Sequence, residues 1–271
     1  MFSTFMYPGR SAPPRITTGG GGGGGGTLLF NGDYSTGNFS QWGAVHNKDC
    51  NHTGLHYDAQ GWTYPARIVT DPTLGIPVAR YEVRSGDPGI LGVGGSPRSE
   101  VADFDTGQMT EGNITWQKCA TKFDSTWPTT ASPSLWAVTH QWHAQTDGSP
   151  PVGFSCVTNG KWQLGVIRYS APNVEIDRNK LWETDMLPGT WHEIKMRIRW
   201  SASDTVGFIE LWHQGVRQTF LNSSTTYSIR TMMPGDPGDY YKEGLYRGDR
   251  AETGIVYHHG YKMATSEAAL G

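Results

Sequence analysis

The chain has 271 residues, and its 22 basic and 25 acidic side chains give a formal net charge of −3. This near balance disfavours a nucleic-acid-binding protein, and the absence of a long apolar run disfavours membrane insertion. Charged residues make up 17% of the chain and aromatic residues 12%, a composition that excludes a disordered protein.

The first 26 residues predict an arm that is separate from the fold. Positions 19–26 are eight consecutive glycines, which have many backbone conformations to lose on folding and no side chain to bury. We therefore expect two segments: an N-terminal arm with a polyglycine tether at 1–26, and one domain at 27–271.

The start of the arm is apolar, yet it lacks the basic segment and the apolar core of a secretory signal peptide. Phe2, Phe5, Met6 and Tyr7 are large apolar side chains within a short stretch, more than a tail without a partner needs. They favour docking of residues 1–18 onto another protein, with the glycines as a spacer.

The cysteines do not predict a disulfide framework. Cys50, Cys119 and Cys156 are an odd number and lie far apart in the chain, without a C-x-x-C pair. At most one bridge can form, and we expect buried free thiols.

From residue 27 onward the sequence predicts short β-strands. Ile194, Met196, Ile198 and Trp200 alternate with charged residues, which is the period of a strand with one buried face. The predicted strands are 66–70, 78–83, 114–123, 135–143, 162–169, 194–200, 208–212, 216–220 and 255–261. No long segment has the spacing of an amphipathic helix. Many short strands with almost no helix predict an all-β, two-sheet sandwich of the jelly-roll type.

Three of the strand-like segments carry polar side chains at every second position. Because residues i, i+2 and i+4 of a strand share a face, each set points to one side of its sheet. If the three strands lie in one sheet, the sets form a polar face of the chemical kind that binds or cleaves sugars. The sets are Arg98 and Glu100; Gln141 and His143; and Tyr240, Lys242, Gly244 and Tyr246.

These segments resemble the three strand motifs of the jelly-roll polysaccharide lyases, which include alginate, glucuronan and heparin-lyase-like groups. The motifs are SPRSEVADF, THQWHA and YYKEGLYRG, in the order that the family has them. The segment 189–218 resembles the family's concanavalin-like hairpin, and GIVYHHGYKMATS its last strand. Alginate lyases carry an amide after the tyrosine, where this chain has Arg247 and Gly248, so the chain looks nearer to the glucuronan and heparin-lyase-like branch.

The resemblance implies β-elimination, which removes the C5 proton of a uronic acid and expels the oxygen at C4. The sugar carboxylate must be neutralised by fixed donors, a role that the resemblance gives to Arg98 and Gln141. It makes His143 and Tyr246 the proton-transfer groups. A phenol needs nearby positive charge to act as a base at neutral pH.

Five further residues are expected to bind substrate or to support the site. Glu100 would hold Arg98 in place, and Arg98, Lys242 or Arg247 would supply positive charge near Tyr246. Tyr240 and Trp142 complete this expected substrate-binding set.

The residues alone leave simpler interpretations open. Arg98 and Glu100 could form an ordinary ion pair on a solvated strand, His143 could be a surface histidine, and Tyr246 could be a stacking platform for a sugar ring.

We expect no metal and no cofactor. The pairs His140/His143 and His258/His259 do not make a metal site within one strand. Asp87, Asp236 and Asp239 lie in loops rich in Gly and Pro, where aspartate most often makes turns, and a calcium ion is the alternative.

The polyglycine arm resembles the glycine-rich arms of minor tail proteins in phages of actinobacteria. Together the two resemblances predict a virion tail protein that acts outside the cell, binding and cleaving the host's surface polysaccharide by β-elimination. Two alternatives stay open: a glycan-binding tail protein without catalysis on the same fold, and a secreted bacterial lyase of uronate polysaccharides. Whether the domain is an active enzyme is not decided by the sequence.

Overall fold

The computed structural model describes residues 25–48, 64–89, 95–104, 106–129, 136–146, 148–157 and 159–271. The predicted arm lies outside these residues except for Gly25 and Gly26, and Cys50 lies outside them as well. The described part of the chain is almost entirely β-strand, with two short 3₁₀ turns at Thr106–Gln108 and Ala268–Leu270.

Sixteen strands are found in this described part. They are β1 (Leu28–Gly32), β2 (Ala44–His46), β3 (Ala66–Thr70), β4 (Pro77–Val83), β5 (Arg98–Asp103), β6 (Ile114–Phe123), β7 (Ala137–Ala144), β8 (Val152–Val157), β9 (Lys161–Ala171), β10 (Val174–Asp185), β11 (Trp191–Arg199), β12 (Phe208–His213), β13 (Val216–Arg217), β14 (Tyr227–Ser228), β15 (Asp239–Arg247) and β16 (Gly254–Ala264).

The strands form two antiparallel sheets. The first has the order β13-β12-β11-β6-β16-β4-β3, with β1 added beside β16 and β14 beside β12. The second has the order β10-β9-β8-β7-β15-β5-β2. This two-sheet sandwich confirms the predicted all-β jelly-roll class.

The two sheets meet in one aromatic core. Tyr241 of the second sheet stacks on Tyr261 of the first, with ring centroids 3.7 Å apart, and Trp42 packs beside both rings. Trp142 and Trp162 are also almost fully buried there. Large aromatic rings bury much apolar area per residue, which explains how a chain with a modest share of aliphatic residues holds two sheets together.

The alternating segments were located correctly, and the differences concern short, irregular or exposed strands. The predicted strand 216–220 is only two residues long, since pairing ends at Arg217. Strands β1, β2, β8, β10 and β14 were not predicted. In β10, most of the first seven side chains are exposed, so this edge strand lacks the apolar alternation on which the prediction rests. No helix in the described residues is long and apolar enough to cross a membrane.

Candidate functional site

Strand β15 lies between β7 and β5 and brings the three motifs together. In antiparallel sheets, residues directly opposite each other point to the same face. The register makes four such pairs across these strands, and their core-facing neighbours are buried between the sheets. The pairs are Tyr246 with Arg98, Gly244 with Glu100, Lys242 with Gln141, and Tyr240 with His143.

The floor of this outward face is a buried ionic cluster around Glu100. Lys242 Nζ donates to Glu100 Oε2 at 2.7 Å, and the Gln141 carboxamide donates to Oε1. Arg98 Nη1 lies 3.8 Å from Oε2. Burial lowers the pKa of Lys242, the nearby Arg98 lowers it further, and Glu100 partly restores it. Glu100 therefore holds Lys242 and Gln141 more closely than Arg98, the residue it was expected to hold.

Tyr246 and Arg98 form one end of the face. The Arg98 guanidinium carbon lies 4.1 Å from the centroid of the Tyr246 ring, and Trp136 packs edge-on against the same ring at 5.2 Å. These contacts fix the ring and place a positive charge over it. Tyr246 is half-buried, and no hydrogen bond of its hydroxyl is found among the described residues.

His143 lies at the other end of the face as a neutral imidazole. Its Nδ1–H donates to the carbonyl of Ala144 at 2.6 Å. Burial lowers its pKa to about 4, with Lys242 contributing in the same direction. At neutral pH, Nε2 therefore carries a lone pair and can accept a proton. The ring of Tyr240 lies 5.2 Å away and supports the imidazole from one side.

Gly244 lies between these two ends. It has a φ of +144°, and a Cβ at this position would come within 2.5 Å of Glu100 Cα and would overlap the Ser99 carbonyl. The strand can pass this close to β5 only without a side chain.

Two of the expected substrate-binding residues do not share this face. Trp142 is 1% exposed between the sheets, where its Nε1–H donates to Gln117 at 2.7 Å. Arg247 is fully buried, and one Nη donates to the Val83 carbonyl at 2.8 Å. Both residues alternate with outward-facing neighbours and therefore point into the core, so their expected contact with substrate is corrected.

The three loop aspartates do not converge on one ion. Asp87 accepts hydrogen bonds from Tyr64 and from the Arg84 backbone, at the end of the sheet where β15 finishes. Asp236 precedes β15 and accepts from three backbone N–H groups of nearby turns, at residues 145, 146 and 238. Asp239, at the start of β15, is fully buried. Two of the three aspartates make turn contacts, and Asp87 lies at the opposite end of β15 from the other two.

A buried polar network lies beneath the site, and it was not predicted from the sequence. His140, Glu243 and His258 come from three strands, and their potential ligand atoms lie within 4.8 Å of one another. Two imidazoles and a carboxylate are a donor set that could hold a zinc-like ion. Here they are joined by hydrogen bonds through Thr121 and Tyr241.

This network also supports the backbone at Gly244. His258 Nε2–H donates to the Gly244 carbonyl at 3.1 Å, and Tyr34 donates to Glu243 at 2.5 Å. Burial raises the pKa of Glu243 to about 8 and lowers that of His258 to about 3. Both groups are therefore largely uncharged at neutral pH, which makes their burial tolerable.

Comparison with known proteins shows the family. A family model described as polysaccharide lyase matches residues 34–262. The chain belongs to this family. No curated protein matches the chain in sequence.

Solved structures share the fold at low sequence identity. The endo-β-1,4-glucuronan lyase from the fungus Trichoderma reesei has a TM-score of 0.65 and 16% identity, over 90% of this chain and 98% of that one. Alginate lyase A1-II' has a TM-score of 0.53 and 16% identity, over 82% and 93%. The catalytic domain of a glycoside hydrolase family 131 protein from Coprinopsis cinerea has a TM-score of 0.53 and 10% identity, over 88% and 94%. At these identities the likeness establishes the fold, which lyases and a hydrolase share.

Proposed function

We propose that the domain cleaves a uronic-acid-containing polysaccharide by β-elimination. The observation that carries this proposal is the order of the outward face: a neutral imidazole at one end, a phenol under a guanidinium at the other, and Gly244, which has no side chain, between them. The family membership and the glucuronan lyase fold support the same chemistry.

A sugar bound over Gly244 would have its reacting atoms between two proton-transfer groups. Arg98 and Gln141 neutralise the carboxylate at C5, which lowers the cost of the carbanion. The His143 Nε2 lone pair accepts the C5 proton, and the released electron pair forms the C4–C5 double bond. As the C4–O bond breaks, the Tyr246 hydroxyl protonates the leaving oxygen.

Glu100 and Lys242 act as positioning residues in this scheme. The carboxylate fixes the Gln141 carboxamide and offsets one of the two positive charges of Lys242 and Arg98. The net positive charge that remains favours an anionic sugar over a neutral one.

Two substitutions separate chemistry from binding. Tyr246→Phe removes one hydroxyl and keeps the ring, so turnover should fall about 10²- to 10⁴-fold with little change in glycan affinity. Arg98→Ala should weaken affinity and turnover together, because the carboxylate is bound in both the ground state and the transition state. If wild-type protein binds uronate chains but releases no unsaturated product, and Tyr246→Phe is silent, the domain is a glycan-binding module and not an enzyme.

We further propose that the domain is a phage tail component directed at a host surface polysaccharide. The support for this part is the sequence of residues 1–26, in which an apolar start precedes the glycine tether. Deletion of residues 2–18 should leave a folded domain that is missing from assembled particles, as measured by immunoblotting of purified virions. Normal incorporation of the deleted protein would contradict docking through the arm, and a protein found only in bacterial culture supernatants would indicate a secreted lyase.

A further inference from the structure

The outward face of the other sheet, opposite the candidate site, carries a second row of charged and aromatic side chains. The row crosses five adjacent strands, β3, β4, β16, β6 and β11, through directly paired positions. Its members are Arg67, Arg80, Tyr257, Lys122 and Trp191. With strands about 4.8 Å apart, the three cations span roughly 14 Å of the sheet.

The arrangement of the two arginines is costly without a ligand. Arg67 and Arg80 are directly opposite each other, and like charges in that position destabilise a sheet. Arg80 has Glu82 as an ion-pair partner at 2.5 Å, whereas Arg67 has no acidic partner among the residues that the structure describes. Arg67 Nε and Arg80 Nη1 are buried without a hydrogen-bond partner. Such unmade hydrogen bonds cost free energy.

The surroundings of the row are preorganised. Lys122 is held by Asp71, and its Nζ lies 4.8 Å from the ring centroids of both Tyr257 and Trp191. The Tyr257 hydroxyl donates to Asp124 at 3.1 Å. These groups, except Trp191, line a cavity of about 400 Å³ together with both arginines, within the size range of small-ligand sites.

We propose that this cavity is a second glycan site, which binds a carboxylate-bearing sugar without cleaving it. Arg67 and Arg80 would bind the carboxylate. The cavity also contains Asp71 and Asp124, which can accept hydrogen bonds from sugar hydroxyls but would repel the dense phosphates of a nucleic acid. The row is then a non-catalytic binding site, on the sheet opposite the candidate active site. Only the choice of a uronate chain as the ligand rests on the proposed function.

The test uses the full chain with the Arg98→Ala substitution, so that the candidate active site contributes little to binding. Polyglucuronate and alginate are titrated by calorimetry at low salt, with uncharged dextran and duplex DNA as further probes. Arg67→Gln in this background should weaken uronate binding about two- to fivefold, the range for one partly exposed charge contact. Arg178→Gln is the matched control: it removes one arginine from the exposed strand β10 of the other sheet and should leave the affinity unchanged.

The thermal midpoint of each variant is measured separately, and the sign of its change also tests the proposal. Because Arg67→Gln relieves a like-charge contact, its thermal midpoint without ligand should equal or exceed that of the parent protein. Uronate affinity that is unchanged by Arg67→Gln, or equally reduced by Arg178→Gln, overturns the proposal. Binding of DNA in preference to uronates overturns the ligand class. If the wild-type protein shows no turnover, that result counts against the proposed lyase activity. It leaves the binding result for the second site unaffected.

Discussion

Replacing Glu100 by glutamine should strongly destabilise the protein. The change keeps the shape of the side chain and removes its charge, so Lys242 is left buried beside Arg98 without a counter-ion. The side chains of Glu100 and Lys242 are only 1% and 3% exposed. Breaking a buried ion pair by removing one partner costs about 3–5 kcal/mol, because the remaining charge is neither solvated nor paired.

For a domain of this size, that loss should lower the thermal midpoint by roughly 10 °C. The structure offers a matched control in Lys161 and Asp185, whose Nζ–Oδ1 distance is also 2.7 Å but whose side chains are 37% and 65% exposed. Asp185→Asn should cost far less than Glu100→Gln, since solvent screens the pair.

Urea denaturation at pH 7 measures both free energies of unfolding, and a double-mutant cycle with Lys242→Met isolates the pairwise contribution. The double variant Glu100→Gln/Lys242→Met should recover part of the loss, because it leaves neither charge buried. If Glu100→Gln costs no more than Asp185→Asn, Glu100 is not the centre of a buried cluster and the electrostatic account of the site is incorrect.

Two further predictions concern the strand that carries Tyr246. Gly244→Ala should destabilise the fold by more than about 1 kcal/mol, because the new Cβ would overlap β5 and the backbone φ of +144° disfavours any side chain; an unchanged urea midpoint would contradict this. Glu243→Gln should change the pH dependence of stability. The folded pKa of about 8 lies above the usual 4.5, so the folded state binds more protons between these values and wild-type stability should fall across that interval as pH rises. The Glu243→Gln variant should lack this component of the decline, and parallel stability curves for the two proteins would refute the raised pKa.

The fold was predictable because much of its information is local. Alternation in segments such as 194–200 gives one buried face per strand, and that pattern can be recognised without knowing which strands pair. The same period of two placed Arg98, Gln141 and Tyr246 on one side of their strands. It also placed Trp142 on the other side, and assigning this residue to substrate binding gave its aromatic type more weight than its position.

The contacts inside the site could not be derived in this way. Glu100 and Lys242 are 142 residues apart in sequence, and no local pattern shows that they form an ion pair. The same holds for Tyr34 and Glu243, which are 209 residues apart. The core-facing position of Glu243 was a signal in the sequence that a buried polar network exists, because a buried carboxyl group needs partners. The sequence does not say which residues those partners are.

The most direct test of the central claim is mass spectrometry of the products formed from polyglucuronate and alginate. β-Elimination splits the chain without adding water, so the fragment that carries the new C4–C5 double bond is one water molecule lighter than a hydrolysis product of the same length. We expect this lighter fragment and a matching rise in ultraviolet absorbance with wild-type protein, and neither with Tyr246→Phe. Fragments of hydrolytic mass, as a hydrolase on the same fold would give, or no fragments from any uronate chain, would contradict the assignment of this site to a lyase.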